Sequence, residues 1–388
     1  MKEGWTIRTI GEVALHLCDG SHNPPVGIDF SEYPMLSSKN IFFDSYDYSE
    51  PRYLTKEQFD IENKRTNVSD GDILLTIVGT IGRVCCIKEP FQPFTLQRSV
   101  AVIKPNKNII ISRYLMYCLC GLNAYFNKEA KGVAQKGIYL KQLGKISIPV
   151  PPLQEQKRIV AELDLLTGII DKQKQQLKEL DTLAQSIFYD MFGNPETDER
   201  GWNMEKLSSI CVSISDGSHN PPKGGEKSDY LMLSSKNIKD GVLSLEEPRY
   251  LSKDEFSLEN KRTNVKKGDI LLTIVGTIGR CCLFDSCKNI VFQRSVAILK
   301  PNDMTNNLFL MYQMIMLRMV LENEAKGVAQ KGICLRQLGN IMVIVPPKGF
   351  QDSFAQKIQS IESQKESINR SIAESQKLFD HTMDKYFG

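Results

Sequence analysis

Gly71 to Arg83 reads GDILLTIVGTIGR, and Gly268 to Arg280, 197 residues later, reads GDILLTIVGTIGR again without one change. Outward from this stretch the repetition continues at the same spacing. Glu62 to Val68 (ENKRTNV) recurs at Glu259 to Val265, and Glu50 to Leu54 (EPRYL) at Glu247 to Leu251. Asp19 to Pro25 (DGSHNPP) recurs at Asp216 to Pro222. On the C-terminal side, Glu129 to Ile138 (EAKGVAQKGI) returns at Glu324 to Ile333, where the spacing has slipped to 195. A period this long exceeds the roughly 20–50 residues of a solenoid repeat. It has the size of a domain, so the chain holds two copies of one globular unit.

Inside each copy the local signals are mixed. Asp72 to Val78 and Gln97 to Ile103 are β-branched and strand-like. Ser112 to Phe126 and its counterpart Asn307 to Leu321 carry Leu, Met and Tyr at helical spacings. The fold class expected is α+β with a strand-rich core in each copy.

Each copy closes on prolines, Pro149-Val150-Pro151-Pro152 and Pro346-Pro347, which end regular pairing. The sequence beyond the prolines is different in kind. Apolar residues fall at Ile159, Leu163, Leu166, Ile170, Leu177, Leu180, Ala184 and Ile187, with Gln173 in the one polar slot. Alternating spacings of four and three are an a/d heptad seam. A helix from Gln154 to Met191 would be roughly 57 Å long at 1.5 Å per residue, stopped by Gly193-Asn194-Pro195. The second copy is trailed by a weaker seam, Phe354, Ile358, Ile361, Ile368, Ile372 and Phe379, interrupted by Lys365, Ser375 and Thr382. A small domain cannot bury the stripe of so long a helix, so the two helices are expected to pair with each other. The expected partition is 1–152 and 194–347 for the repeated units, and 153–193 and 348–388 for the helices.

Composition limits the class. At 388 residues and 41% hydrophobic the chain is long enough for two cores. A net charge of +3 announces no nucleic-acid partner by itself, although charge can cluster locally. The ten cysteines include no CxxC pair. The adjacent pairs Cys85-Cys86 and Cys281-Cys282 come after strand-like runs and read as small buried hydrophobes in a reducing cytosol. The N-terminus is polar, without a signal-peptide pattern, and the apolar run Ile73 to Gly82 is too short to span a bilayer. A cytoplasmic location without membrane contact is expected.

Three chemistries compete for the repeated blocks. Asn23-Pro24-Pro25 resembles the Asx-Pro-Pro-aromatic loop of DNA adenine methyltransferases, but the fourth position is Val26 in one copy and Lys223 in the other. The stacking face for a flipped base is missing, and Gly79-Thr80-Ile81-Gly82 is only GxxG, so no methyl-donor cofactor is expected. Glu62-Asn63-Lys64 with Asp70 and Asp72 suggests a nuclease, yet ExK is short enough to arise by chance. Only His22 and His219 occupy matching positions, which leaves almost no material for a triad or a His-based metal site. The third reading is binding. Lys39-Asn40, Arg52, Lys64-Arg65, Arg83, Gln97-Arg98 and Gln135-Lys136 stand in or beside turns, and Lys128 to Lys145 holds five lysines against one acid. Lys and Arg reach phosphates, while Asn, Gln and Arg have the fork geometry that reads base edges. Any one of these residues alone reads as solvated surface; together, on a repeat with spacer helices, they favour double-stranded DNA. The candidate contacts are Ser21, His22, Asn23, Lys39, Asn40, Arg83, Lys131, Gln135 and Lys136. Their copies are Ser218, His219, Asn220, Lys236, Asn237, Arg280, Lys326, Gln330 and Lys331.

With these features together, the chain resembles a specificity subunit of a type I restriction–modification system over essentially its full length. The likeness rests on the order of unit, long helix, unit, long helix. It rests also on Asp19-Gly20-Ser21-His22, on Gly71-Asp72-Ile73-Leu74, and on the junction running from Leu143-Gly144-Lys145-Ile146 to Pro151-Pro152-Leu153-Gln154-Glu155-Gln156. The second copy, Pro347-Lys348-Gly349-Phe350-Gln351-Asp352, departs from that junction by lacking the Glu-Gln pair. The resemblance implies a non-enzymatic subunit in which each recognition domain reads half of a bipartite site and the two helices form an antiparallel coiled coil that sets the gap. It implies two methyltransferase subunits as partners, joined by restriction subunits for cleavage. If tandem units joined by antiparallel spacers face DNA inverted, the site is an interrupted near-palindrome with half-site centres about 10 bp apart.

Overall fold

The protein is described by a computed structural model covering residues 4–129, 137–325 and 332–388. The chain divides into two compact units, 1–174 with 370–388, and 175–369.

Unit 1 is built on a four-stranded antiparallel sheet in the order Ala14–Asp19, Val100–Pro105, Ile73–Thr76, Val84–Cys86. Every residue of Ile73–Thr76 is buried, because both faces of the sheet are covered. Ile73 and Leu75 join the core beneath the helices with Tyr114, Leu115 and Ile159. Leu74, between them, faces a second core with Leu36, Ile41 and Phe94. The period of two along a strand makes this division. It also separates the adjacent thiols: Cys86 lies in the first core and Cys85 in the second. Burial pushes the Cys86 thiol up to about 11. A three-stranded sheet, Arg52–Tyr53, Pro34–Leu36 and Thr95–Leu96, closes the second core. The strand Thr6–Thr9 pairs with Ser147–Val150 at the entrance to the long helix.

Unit 2 repeats this plan strand for strand, with Cys211–Asp216, Val296–Pro301, Ile270–Thr273 and Cys281–Leu283 in the four-stranded sheet. Cys281 and Cys282 again face opposite cores. The apolar helical stretches are each helical in two pieces, Ser112–Gly121 then Asn123–Glu129, and Asn307–Met316 then Arg318–Ala325. The strand expected over Gln97–Ile103 begins only at Val100, since the Val100 N–H turns back to the Gln97 carbonyl at 3.1 Å.

The long helices run Leu153–Phe192 and Lys348–Phe387. In unit 1 the Arg158 guanidinium donates to the Tyr386 hydroxyl at 2.9 Å and the Gln173 amide donates to the Ser371 hydroxyl at 2.6 Å. In unit 2 Asp181 pairs with Lys365 at 2.8 Å, and Phe188 packs on Phe354. Partner numbers fall as the first helix advances, so the pairing is antiparallel in both units. The seam is not buried evenly. Ile159, Leu163, Leu166, Ile170, Ile358 and Ile361 are buried, whereas Leu177, Leu180, Ile368 and Ile372 are only half-buried. The ends are covered because they enter the domain cores: Ile159 and Leu163 with Met383 and Tyr386 in unit 1, and Phe188 and Phe192 with Phe354 and Ile358 in unit 2. The two helices occupy the expected segments 153–193 and 348–388, and each is shared between the two compact units.

The junction motif explains how each helix is fastened. Gln156 is fully buried; its Oε1 accepts the Ile111 N–H at 2.8 Å, and its amide donates to the Ile109 and Pro151 carbonyls, each at 2.9 Å. Gln351 does the same in unit 2, accepting the Asn306 N–H at 2.8 Å and donating to Pro346 at 2.7 Å. The second junction thus keeps the fastening glutamine, and of the Glu-Gln pair only Glu155 is replaced, by Phe350. Among the described residues no helix is long and apolar enough to cross a membrane.

Candidate nucleic-acid interface

The identical blocks, far apart in sequence, converge on one face of each unit. Ser21 of the DGSHNPP block bridges to Gln97, and Val78 of the GDILLTIVGTIGR block bridges to Gly137, at the end of the EAKGVAQKGI block. Unit 2 has the same bridges, Ser218 to Gln293 and Val275 to Gly332. Gly20 makes the first of these crossings possible: a Cβ there would stand 2.1 Å from the Leu96 carbonyl oxygen, and at Gly217 it would stand 2.0 Å from that of Phe292. No side chain fits so close an approach.

The histidine of each DGSH turn is held by an internal carboxylate. His22 Nε2 lies 2.8 Å from Asp19 Oδ2, and Asp19 is buried while the imidazole is about half exposed. The same carboxylate also accepts from Arg65, whose Nε donates to the Asp19 carbonyl at 2.7 Å. His219, Asp216 and Arg262 repeat the arrangement at 2.7 and 2.6 Å. This accounts for the ENKRTNV block. It is the end of helix Lys56–Thr66, capped by Asn67 in the left-handed conformation, and its arginine buttresses the DGSH turn. Glu62 and Lys64 stand two apart on that helix and cannot share a face; Asp72 is engaged by Lys104 and the Ser69 N–H. The nuclease reading has no geometry here. The Asn-Pro-Pro loop is likewise tied back, with Arg52 donating to the Pro25 carbonyl at 2.7 Å and Arg249 to that of Pro222 at 2.5 Å.

The sequence-derived candidates separate into three groups. His22, Asn23 and Lys39 are exposed, as are His219, Asn220 and Lys236. Asn40 and Asn237 are buried, which removes them from any base-edge role: each caps the turn begun by Ser37 or Ser234, and their amides donate to the Ser49 and Glu246 carbonyls at 2.8 and 2.9 Å. A short amide that can satisfy a tight turn is as readily structural as recognising. Ser21 and Ser218 are also buried, engaged through their backbones in the crossing beside Gly20 and Gly217. Arg83 is half-buried, stacked 5.2 Å over Phe42 and donating to the Ile41 carbonyl at 3.3 Å, and Arg280 is half-buried at the matching point. Lys131, Gln135, Lys136, Lys326, Gln330 and Lys331 lie outside the described residues.

Beside this face each unit has a polar groove. In unit 1 it encloses about 770 Å³ and is lined by Lys39, Glu50, Arg52, Tyr53 and Gln97. In unit 2 it encloses about 820 Å³, with Lys236, Glu247, Arg249 and Gln293 at the matching places. Among the described residues no group of three or more His, Cys, Asp or Glu could hold a metal ion. The arrangement offers exposed donors and acceptors on braced turns.

The type I restriction modification DNA specificity domain matches residues 2–182 and 199–375, one copy in each half. The chain belongs to that family. The EcoBI specificity subunit of Escherichia coli is 24% identical over 309 residues, a match covering 72% of this chain and 65% of that one. A putative specificity subunit, MjaX, of Methanocaldococcus jannaschii is 26% identical over 93% of this chain and 87% of its own length. Among solved structures, the S subunit of a type I system from M. genitalium is similar in fold, with a TM-score of 0.54 and 14% identity, covering 99% of this chain and 96% of that chain. A chain from a type I R-M system studied for complex assembly and conformational transition has a TM-score of 0.55 and 18% identity, covering 100% of this chain and 98% of that one. As a family member this chain is a DNA-specificity subunit with two repeated recognition domains.

Proposed function

We propose that each unit of this chain reads one half of a bipartite, near-palindromic DNA site, and that the chain directs separate methyltransferase subunits to it without chemistry of its own. The observation that carries this reading is the identity of the two faces: His22, Asn23, Lys39 and Gln97 have counterparts at His219, Asn220, Lys236 and Gln293 on the same braced turns. Identical donors on identical turns select identical base edges. Where the units differ, at 26–32 against 223–229 and at 42–49 against 239–246, the half-sites differ by one or two positions, each worth about 1–3 kcal/mol. Lys39 and Lys236 act on phosphates, and the lysine-rich blocks with Lys136 and Lys331 add to that charge.

Two methyltransferase subunits, and restriction subunits where the system has them, are the partners this reading requires, in the cytoplasm with the chromosome. Methylation-sensitive sequencing of cells carrying the chain with its methyltransferase tests it. An interrupted motif with two similar inverted halves is expected; two unrelated halves, or one half in direct repeat, would defeat the palindrome. Labelled methyl donor, cognate DNA and the purified chain alone should give no transfer.

A further inference from the structure

Arginines that look equally available in the sequence are unequal in the fold. In unit 1, Arg52 is spent on the Pro24 and Pro25 carbonyls, Arg65 on Asp19, Arg83 on the Ile41 carbonyl, and Arg113 on Asp44 and Asp164. In unit 2, Arg249 is spent on the Pro222 carbonyl, Arg262 on Asp216, and Arg318 on Asp240. Arg98 and Arg294 are exposed, and among the described residues neither guanidinium has a hydrogen bond or ion pair.

Their backbones are the reverse of free. The Arg98 N–H donates to the Ser21 carbonyl and the Gln97 N–H to the Leu36 carbonyl, both at 2.9 Å. Ser99 Oγ then accepts the Ser38 N–H at 3.1 Å. In unit 2, Arg294 donates to Ser218 and Gln293 to Leu233, again both at 2.9 Å, and Ser295 Oγ accepts the Ser235 N–H at 3.0 Å. A three-residue turn is thus pinned at every position, at the crossing of the repeated blocks, with one uncommitted guanidinium on it. In unit 1 Arg98 shares a cleft of about 260 Å³ with His22, Val78 and Tyr139. A phosphate contact needs a positive charge but little register, and Lys39 supplies one nearby. A planar fork carried on a fixed backbone suits bidentate reading of guanine O6 and N7, and the preset backbone lowers the ordering cost.

We infer that Arg98 and Arg294 are specificity-determining residues, each reading one guanine at matching positions of the two half-sites. The inference rests on the DNA-reading role proposed above. The test uses the full chain with its methyltransferase, and methylation-sensitive sequencing of the unaltered protein, Arg98→Ala, Arg98→Gln and Arg294→Ala. Arg98→Ala should lower the preference for guanine at one position of one half-site about tenfold or more, leaving the other half unchanged. Arg98→Gln should move that position toward adenine, the base a Gln fork fits, and Arg294→Ala should act on the opposite half. Melting of the variants should match the unaltered protein, since neither guanidinium holds the fold. An unchanged motif, or a uniform loss of methylation at every site, would overturn the inference. If the unaltered chain directs no bipartite methylation, the DNA-reading role fails first and the inference falls with it.

Discussion

The faces that carry the repeated blocks are near copies in the two units, while the packing beneath them is not. In unit 2 the helix ends meet the domain through Phe188, Phe192, Phe309 and Phe354, with ring centroids 4.8–6.2 Å apart. In unit 1 the matching positions hold Tyr114, Ile159, Met383 and Phe387, with the Tyr114 and Phe387 rings 5.5 Å apart, and an ion-paired cluster stands beside them. Arg113 bridges Asp44 at 2.8 Å and Asp164 at 2.5 Å, with the Tyr117 hydroxyl donating to Asp164 at 2.6 Å. A core tolerates repacking if shape and volume are kept. A surface that must present the same donors to the same kind of ligand does not. The difference separates residues that changed with their neighbours from residues kept alike on an exposed face, the pattern expected of a face that meets a ligand.

The largest effect should come from the aromatic junction. Phe354→Ala removes a fully buried ring that touches Phe188, Phe192 and Phe309. It should cost about 3–5 kcal/mol, read as a lower urea midpoint. A cost below about 1 kcal/mol would mean that the ring cluster does not hold unit 2 to its helices. Next comes a change that should treat the units alike. Gln156→Ala and Gln351→Ala each strand buried backbone groups, at about 2–3 kcal/mol each. Clearly unequal losses would break the equivalence of the two junctions. Arg113→Ala has no counterpart in unit 2, where Leu308 stands. It leaves Asp44 and Asp164 unpaired, but both are partly exposed, so about 1–2 kcal/mol is expected. Smaller still is Leu177→Glu. The half-buried middle of the seam gives about 1 kcal/mol, where a continuously buried seam would have given several. Lys39→Ala should leave stability unchanged and lower the salt slope of DNA binding by about one unit. Lys236→Ala should match it.

Much of the architecture is open to reading from the residues. The repeat, the two helices to within a few residues, their pairing with each other and the strand around Ile73 come from repetition, periodicity and prolines, while the antiparallel sense comes from the family resemblance. The candidate face is legible only in outline. Asn40 and Asn237 look like recognition residues because amides suit base edges; they are buried caps, since the same amide suits a tight turn. Phe188 and Phe192 fall outside the heptad pattern, which puts Ile187 on the seam. Near its end the helix packs into the core of unit 2, so the buried stripe rotates away from the a/d positions. Arg65 and Arg98 cannot be told apart in sequence, one serving Asp19 and the other uncommitted.

Local pattern by itself determined what repeats, what is helical and where the chain must turn, because these depend on neighbours within a few residues. The tertiary structure alone decided which polar side chains are spent inside and which remain outside. A hydrogen bond between Arg65 and Asp19, or between Gln156 and Ile111, joins residues about 45 positions apart, and no spacing rule along the chain encodes a partner at that distance.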